Sequence, residues 1–466
     1  MKFGGSSLAN ASRIKKAAGI IQQYSSSNNI VVVVSAIDDV TDELQELGEA
    51  AQQGDSTMTK SLLSKLQFLH SSIARSISAR GTGKEFLDNI SRMNLELRKT
   101  VEGISHLREL TLRSRDYLLS FGERFSTLMM AAALRNAGLR THAFSGAEAG
   151  ITTDENFGEA RPLIEATYHQ IRQMLEPLIS RGEIPIVAGF IGATIEGSIT
   201  TLGRGGSDYT ASLLSAALDA DEIWIWTDVD GLMTADPRIV KNATTLSNVS
   251  FGEALELSYF GAKMMHPRAL QPAVQRKIPV RIKNSFKPGK EGTLISINEK
   301  NSSERAVRAI SIIPKVAIVT VSGTGMMGAP GVAAKVFQTL GSNNINVMMI
   351  SQGSSEATIS CVIARKDAQK AVRSLQLALL GQGYVDRVEA ETDACVIAVV
   401  GSGMKGTPGV AARIFGAVAR RKINVRMVAQ GSSEYNVSFI VPEARGADAV
   451  RAIHEEFYAP LPLGKR

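Results

Sequence analysis

Residues 203–231 read GRGGSDYTASLLSAALDADEIWIWTDVDG. An arginine among three glycines leads into a helix predicted to start near Asp208, with Leu213, Leu214 and Ala217 on one face. The run EIWIWT then reads as a strand buried on both sides, and TDVDG as the turn after it. A loop, a helix and a doubly buried strand in that order form one unit of an α/β layer structure. In such sheets ligands bind beyond the carboxyl ends of the strands.

The same pattern recurs along the chain. NIVVVVSA at 29–36 and IPIVAGFIG at 184–192 are further doubly apolar strands, and helical stretches such as RFSTLMMAAALRNAG lie between them. The reading is an open, mostly parallel sheet covered by helices on both faces. After SFKPGKEGTL at 285–294 the text begins to repeat. GTGMMGAPGVAAKVF (323–337) and GSGMKGTPGVAARIF (401–415) agree at ten of fifteen positions, offset by 78. The same offset aligns INVMMISQGSSEATIS with INVRMVAQGSSEYNVS. Each copy reads strand, helix, strand, strand, helix, the ferredoxin-like plan, and the apolar run near 395 both closes the first copy and opens the second. The expected domains are 1–300, 312–390 and 391–466.

With 466 residues and 44% hydrophobic content the chain exceeds one core. Its 52 basic and 45 acidic residues interleave without a basic stripe or aromatic platform, so no nucleic-acid partner is expected despite the net charge of +7. No apolar run approaches a membrane span and no secretory leader opens the chain, so no membrane partner is expected. Cys361 and Cys395 sit in apolar runs and read as free thiols in a cytoplasmic protein.

Three clusters could carry chemistry. KFGGSS (2–7) places Lys2 ahead of Gly4 and Gly5, whose N–H groups can meet phosphate oxygens; taken alone it fits a basic turn equally well. It is not a Walker loop, because the lysine precedes the glycines. Arg204 among glycines at a helix start makes an anion site, where Ser207 or Asp208 could equally be an ordinary cap. Asp228, Asp230, Asp236 and Arg238 follow the tryptophan strand; a calcium loop fails because position 239 is Ile, which leaves a nucleotide edge or plain turn residues. No resident metal ligand set is read.

KFGGSS, VVVVSAIDDVT (31–41), SFGE (120–123), GFIGATIEGSITTLGRGGSDYTA (189–211), WTDVDGLMTADPR (226–238) and FGAKMMHPRAL (260–270) together resemble the aspartate kinases of the amino acid kinase family. The repeats resemble their paired ACT domains. The resemblance implies ATP and L-aspartate giving ADP and 4-phospho-L-aspartate, with Mg2+ on the nucleotide. By the same resemblance Lys2 stabilises the transferring phosphoryl group, Asp208 orients that lysine and Arg204 grips a carboxylate. Glu123 meets the amino group, while Ser35, Thr41, Phe190 and Ser207 line the substrate side. Gly4, Gly5, Thr227, Asp228, Arg238 and Lys263 fall on nucleotide positions. Gln352 and Gln430, in matching QGSSE segments, imply allosteric amino-acid sites, with threonine the favoured effector and lysine a possible one. A homodimer or larger assembly through the ACT domains is also implied.

The chain departs from the family at Asp38-Asp39, where glycine is common; two carboxylates there should weaken binding of an anion unless they point outward or meet cations. Kinases for glutamate, acetylglutamate or carbamate are disfavoured by the insertion at 45–120 and the doubled appendage. A fused homoserine dehydrogenase is not expected in a chain ending at 466. A non-catalytic amino-acid sensor of the same fold would tolerate loss of Lys2, Arg204 and Asp208, and all three are present.

Overall fold

The computed structural model describes residues 1–78, 83–259, 267–297, 305–381, 383–431 and 433–458. The chain divides into two compact units. The first comprises Met1–Leu232, Ser247–Phe251 and Met264–Ile297; the second comprises Met233–Leu246, Gly252–Lys263 and Asn298–Arg466. Where the sequence suggests one boundary near 300, two earlier segments thus join the second unit.

The first unit carries β1 (Lys2–Phe3), α1 (Ala11–Ser25), β2 (Val32–Val34), α2 (Val40–Gln53), α3 (Ser56–Ile77), α4 (Gly83–Leu107), α5 (Leu112–Leu119), α6 (Phe121–Asn136) and β3 (Thr141–Phe144). It continues through α7 (Ile164–Ser180), β4 (Ile184–Ala188), β5 (Ile191–Ala193), β6 (Ile199–Thr201), α8 (Gly206–Ala217), β7 (Ile223–Thr227) and β8 (Asn248–Ser250). After α9 (Phe251–Tyr259), which the second unit takes from Gly252 on, come α10 (Pro267–Arg276), β9 (Val280–Asn284) and β10 (Thr293–Ser296). Among the described residues eight strands form one sheet in the order β3-β4-β2-β1-β7-β9-β10-β8. Every neighbouring pair is parallel except β9–β10.

β1 lies between β2 and β7, with Lys2 opposite Val33 and Ile225. A two-residue strand suffices there because Phe3 is wholly buried and stacks on the equally buried Trp226, ring centroids 5.9 Å apart. The tryptophans belong to the core, as their alternation with isoleucine suggested. Short polar caps start three of the helices, α1, α3 and α5: the side chains of Asn10, Asp55 and Thr111 accept from the N–H three residues on. The chain ends of β1, β2, β4 and β7 converge on one edge, where the cavity described below opens.

The second unit holds β11 (Ala309–Ser322), α11 (Val332–Ser342), β12 (Met349–Gln352), β13 (Thr358–Ala364), α12 (Ala368–Leu379), β14 (Arg387–Val400), α13 (Val410–Arg420), β15 (Met427–Gln430), β16 (Asn436–Val441) and α14 (Gly446–Tyr458). Its antiparallel order is β12-β13-β11-β14-β16-β15. The long strands β11 and β14 pair along both halves, with a register shift between Ile313 and Ile318 and left-handed backbone at Lys315 (φ 57°). The second half of β11 with the first half of β14 serves the first repeat, and the remaining halves serve the second. The second repeat therefore draws its fourth strand, 309–313, from upstream of the first. Val316, Ile318, Met349 and Val362 pack with Val396, Ala398, Met427 and Ile440 in a shared apolar cluster between the repeats. Among the described residues no helix is long and apolar enough to cross a membrane.

Candidate active site

A cavity of about 570 Å³ opens past the ends of β1, β2 and β4. Its walls include Lys2, Gly5, Ser35, Thr41, Glu123, Phe190, Arg204, Ser207 and Asp208, which are drawn from five separate stretches of the first unit. The fold has thus brought together all the substrate-side residues expected from the sequence.

Glycine makes the close approaches at this edge possible. A Cβ on Gly5 would stand 2.8 Å from the Ala36 carbonyl oxygen and 3.1 Å from the Asp38 nitrogen, so the turn after β1 can lie against the turn after β2 only without one. Gly4 spends its N–H on the Trp226 carbonyl (3.1 Å), which leaves Gly5 as the cavity-lining member of that pair. Gly203 and Gly205 both take left-handed backbone (φ 75°) and carry Arg204 between them to the rim, where it is exposed.

Lys2 and Asp208 are nearly buried, and Lys2 Nζ lies 2.7 Å from Asp208 Oδ1. Asp208 sits in the first turn of α8, where a carboxylate is favoured by the helix N-terminus, and it fixes the lysine's position inside the cavity. Glu123 occupies the first turn of α6 and is only 3% exposed. Burial pushes its carboxyl up to about 8, against the opposing pull of the Ala36 and Glu123 N–H groups and of Lys2. Its Oε2 has no hydrogen-bond partner among the described residues, so one acceptor waits for a cationic or donor group.

The rim is charged and open. Asp38, Asp39 and Asp42 line it, all exposed. Partial desolvation and the charges of Asp39 and Asp228 hold the Asp38 carboxyl above its usual range, with Arg13 opposing. Asp39 has φ 65°, the left-handed conformation that the family's common glycine would adopt freely, and it starts α2 there. Arg115 also lines the cavity and escaped the sequence reading. Its signal was the spacing Arg115, Leu119, Glu123, three wall residues at four-residue intervals along α5 and α6.

The nucleotide-side residues are more dispersed. Thr227 ends β7 and Asp228 follows it, both outside the cavity wall, with Thr227 Oγ1 donating to Asp228 Oδ1 at 3.1 Å. Next to them Asp230 is drawn down to about 2 by hydrogen bonds from Lys290 (2.7 Å) and Asn284 (2.5 Å). Arg238 belongs to the second unit and is held by Asp236, Nη2 to Oδ2 2.7 Å. Lys263 lies outside the described residues.

Gln352 and Gln430 end the edge strands β12 and β15, both exposed and paired with Ile359 and Val437. Their turns match closely. Glu356 and Glu434 each have φ 57°, and each accepts from a glycine N–H of its own repeat: Gly328 at 3.0 Å and Gly406 at 2.7 Å.

The family model "Amino acid kinase family" matches residues 1–284, and an ACT domain model matches 319–379 and 397–457. Aspartokinase 1, chloroplastic, of Arabidopsis thaliana is 34% identical over 472 residues, covering 98% of this chain and 80% of its own. A bifunctional aspartokinase/homoserine dehydrogenase of Zea mays is 34% identical over 465 residues, and the chain spans about half (50%) of that relative's length. Among solved structures, Escherichia coli aspartokinase III in complex with aspartate and ADP has a TM-score of 0.83 at 30% identity, covering 98% of this chain and 99% of the other. The same enzyme with lysine and aspartate has a TM-score of 0.80 at 29% identity, covering 98% of each chain.

Proposed function

The chain belongs to the amino acid kinase family, with two ACT domains following in the sequence, and we propose that it is an aspartate kinase making 4-phospho-L-aspartate from ATP and L-aspartate. The observation that carries the reading is the Lys2–Asp208 ion pair in the same cavity as Glu123 and Arg204. A buried cation, a carboxylate with one unpartnered oxygen and an exposed guanidinium match, in turn, the incoming phosphoryl group, the ammonium and one carboxylate of aspartate. The likeness to aspartokinase III with aspartate and ADP supports the same acceptor and nucleotide.

The side-chain carboxylate of aspartate is already ionised at neutral pH, so no protein base is needed. One carboxylate oxygen forms the bond to the γ-phosphorus while the bond from that phosphorus to the β,γ-bridging oxygen breaks, and ADP leaves with that electron pair. The chain's task is to align two anions and offset their repulsion. Lys2, held by Asp208, faces the transferring group; Glu123, ionised, takes the ammonium; Arg204 closes on a carboxylate. Ser35, Thr41, Ser207 and the left-handed Phe190 shape the pocket around the acceptor. Gly5, Thr227 and Asp228 border the nucleotide.

Among the described residues no group of three or more carboxylate, histidine or cysteine side chains could cage a metal. Magnesium bound through the nucleotide's phosphates fits the rim, where Asp38 would accept a cation that relieves its repulsion with Asp39 and Asp228. When bound, the ion neutralises phosphate charge.

The paired QGSSE turns support feedback control by a small amino acid bound near Gln352 and Gln430, with threonine favoured, lysine possible, and the ACT domains joining two or more chains. Lysine accompanies aspartokinase III in one of the similar structures. Purified protein, MgATP, hydroxylamine and a panel of acidic amino acids test the activity; aspartyl hydroxamate is expected, and ATP consumption without hydroxamate overturns it. Adding threonine, lysine or methionine separately tests control, and no response to any of them would sink that part.

A further inference from the structure

Asp116 is wholly buried on α5, yet it does not line the cavity and no part of the activity above uses it. Its carboxylate accepts three hydrogen bonds. Gly158 N–H (2.8 Å) and Thr201 N–H (2.9 Å) donate to Oδ2, and the Thr201 hydroxyl (2.8 Å) donates to Oδ1. The Thr201 carbonyl in turn accepts from Ala160 N–H at 2.9 Å. One side chain thereby ties together α5, the 158–160 loop and the end of β6, partners 42 and 85 residues away.

What extends from those three pieces is the substrate wall. α5 passes through Ser120 directly into α6 and Glu123. β6 ends at Thr201, and Gly203 and Arg204 follow. The 158–160 loop supports that turn: a Cβ on Gly203 would lie 3.4 Å from the Gly158 carbonyl oxygen and 3.2 Å from Glu159 Cγ. Burial raises the Asp116 carboxyl, while its three donors and the charge of neighbouring Arg115 pull it down; among the described residues no cation pairs with it within salt-bridge distance. A buried carboxylate satisfied only by donors from two segments that frame a binding wall is an expensive choice for plain stability.

We infer that Asp116 is a positioning residue which fixes the separation of Glu123 and Arg204, and so sets recognition of the amino-acid acceptor. The inference rests on the aspartate kinase reading and deepens it. A dicarboxylic amino acid presents its ammonium and its carboxylates at fixed spacing, so the groups that receive them must be held to a fraction of an ångström. The nucleotide side, at the ends of β1 and β7, hangs from neither of the segments Asp116 ties.

The test is steady-state kinetics on the full chain with Asp116→Ala, Asp116→Asn and Thr201→Val. Asp116→Ala should raise the aspartate KM on the order of 10- to 100-fold and leave the MgATP KM within about twofold. Asp116→Asn should restore recognition, because the amide oxygen can take both N–H groups while its NH2 donates to the Thr201 hydroxyl. Thr201→Val, which removes one donor, should raise the aspartate KM severalfold. A merely structural role would lower the melting temperature without this split between substrates. If Asp116→Ala does not fold, Thr201→Val decides, and an unchanged aspartate KM there overturns the inference. So does a folded Asp116→Ala with the wild-type aspartate KM, or one in which both KM values rise together. Wild-type protein that makes no hydroxamate from any acid would instead take down the activity on which the inference stands, which separates the two failures.

Discussion

The deep wall of the cavity and its rim are built differently. At depth, Lys2 and Asp208 form an ion pair, and Glu123 is held by backbone N–H groups in a site that keeps it about 3% exposed. At the rim, Asp38, Asp39, Asp42 and Arg204 face solvent, and among the described residues none of the four forms a salt bridge. The deep groups already hold the geometry that the proposed phosphoryl transfer needs, so their removal should cost rate or change protonation. The rim groups have little to lose until a ligand arrives, so their removal should cost affinity or change backbone strain.

The sharpest way to break this contrast is at Lys2. Lys2→Met removes the buried cation while keeping much of its volume, and kcat should fall on the order of 100-fold or more, a few kcal/mol of transition-state stabilisation. A fall confined to KM would move Lys2 into the rim class. Arg204→Lys should act in the opposite sense, raising the aspartate KM about tenfold with kcat little changed, because lysine cannot reproduce a bidentate grip.

Glu123 separates the regions by proton rather than by rate. Its folded-state value of about 8 lies above its ordinary 4.5, so the folded protein holds a proton that the unfolded chain releases. Stability from this group is therefore fully present below 4.5 and is lost as pH rises from there to about 8. Glu123→Gln should flatten that part of the melting-temperature profile. Because the ammonium of aspartate requires the ionised form, aspartate binding at pH 7 should release a proton, seen by calorimetry in buffers of different ionisation enthalpy. The glutamine variant should release none. The smallest effect belongs to the rim: Asp39→Gly relieves a left-handed aspartate and should stabilise by about 0.5 kcal/mol, measured by urea unfolding.

The elements that were legible in the sequence share a local signature. Doubly apolar strands gave the parallel sheet, and a fixed offset of 78 gave the duplicated second unit. Lys2, Glu123, Arg204 and Asp208 stood in compact motifs, and the fold gathers them. What escaped depends on distant partners. Asp116 looks like any acidic residue on a short helix until Thr201, 85 residues away, is brought to it. The fourth strand of the second repeat lies upstream of the first, and no period marks it because β11 reads as one apolar strand serving both. Asp39 reads as surplus charge in the sequence, whereas its backbone shows that it stands in a glycine's conformation.

On the proposed function, the buried Lys2–Asp208 pair serves phosphoryl transfer to the side-chain carboxylate of aspartate. Phosphorus NMR of wild-type protein with MgATP and aspartate tests it most directly. An acyl-phosphate resonance should grow with ADP and be lost with Lys2→Met while nucleotide and aspartate still bind. An acyl phosphate formed at the wild-type rate by Lys2→Met, or ADP formed by wild-type protein without an acyl phosphate, would contradict it.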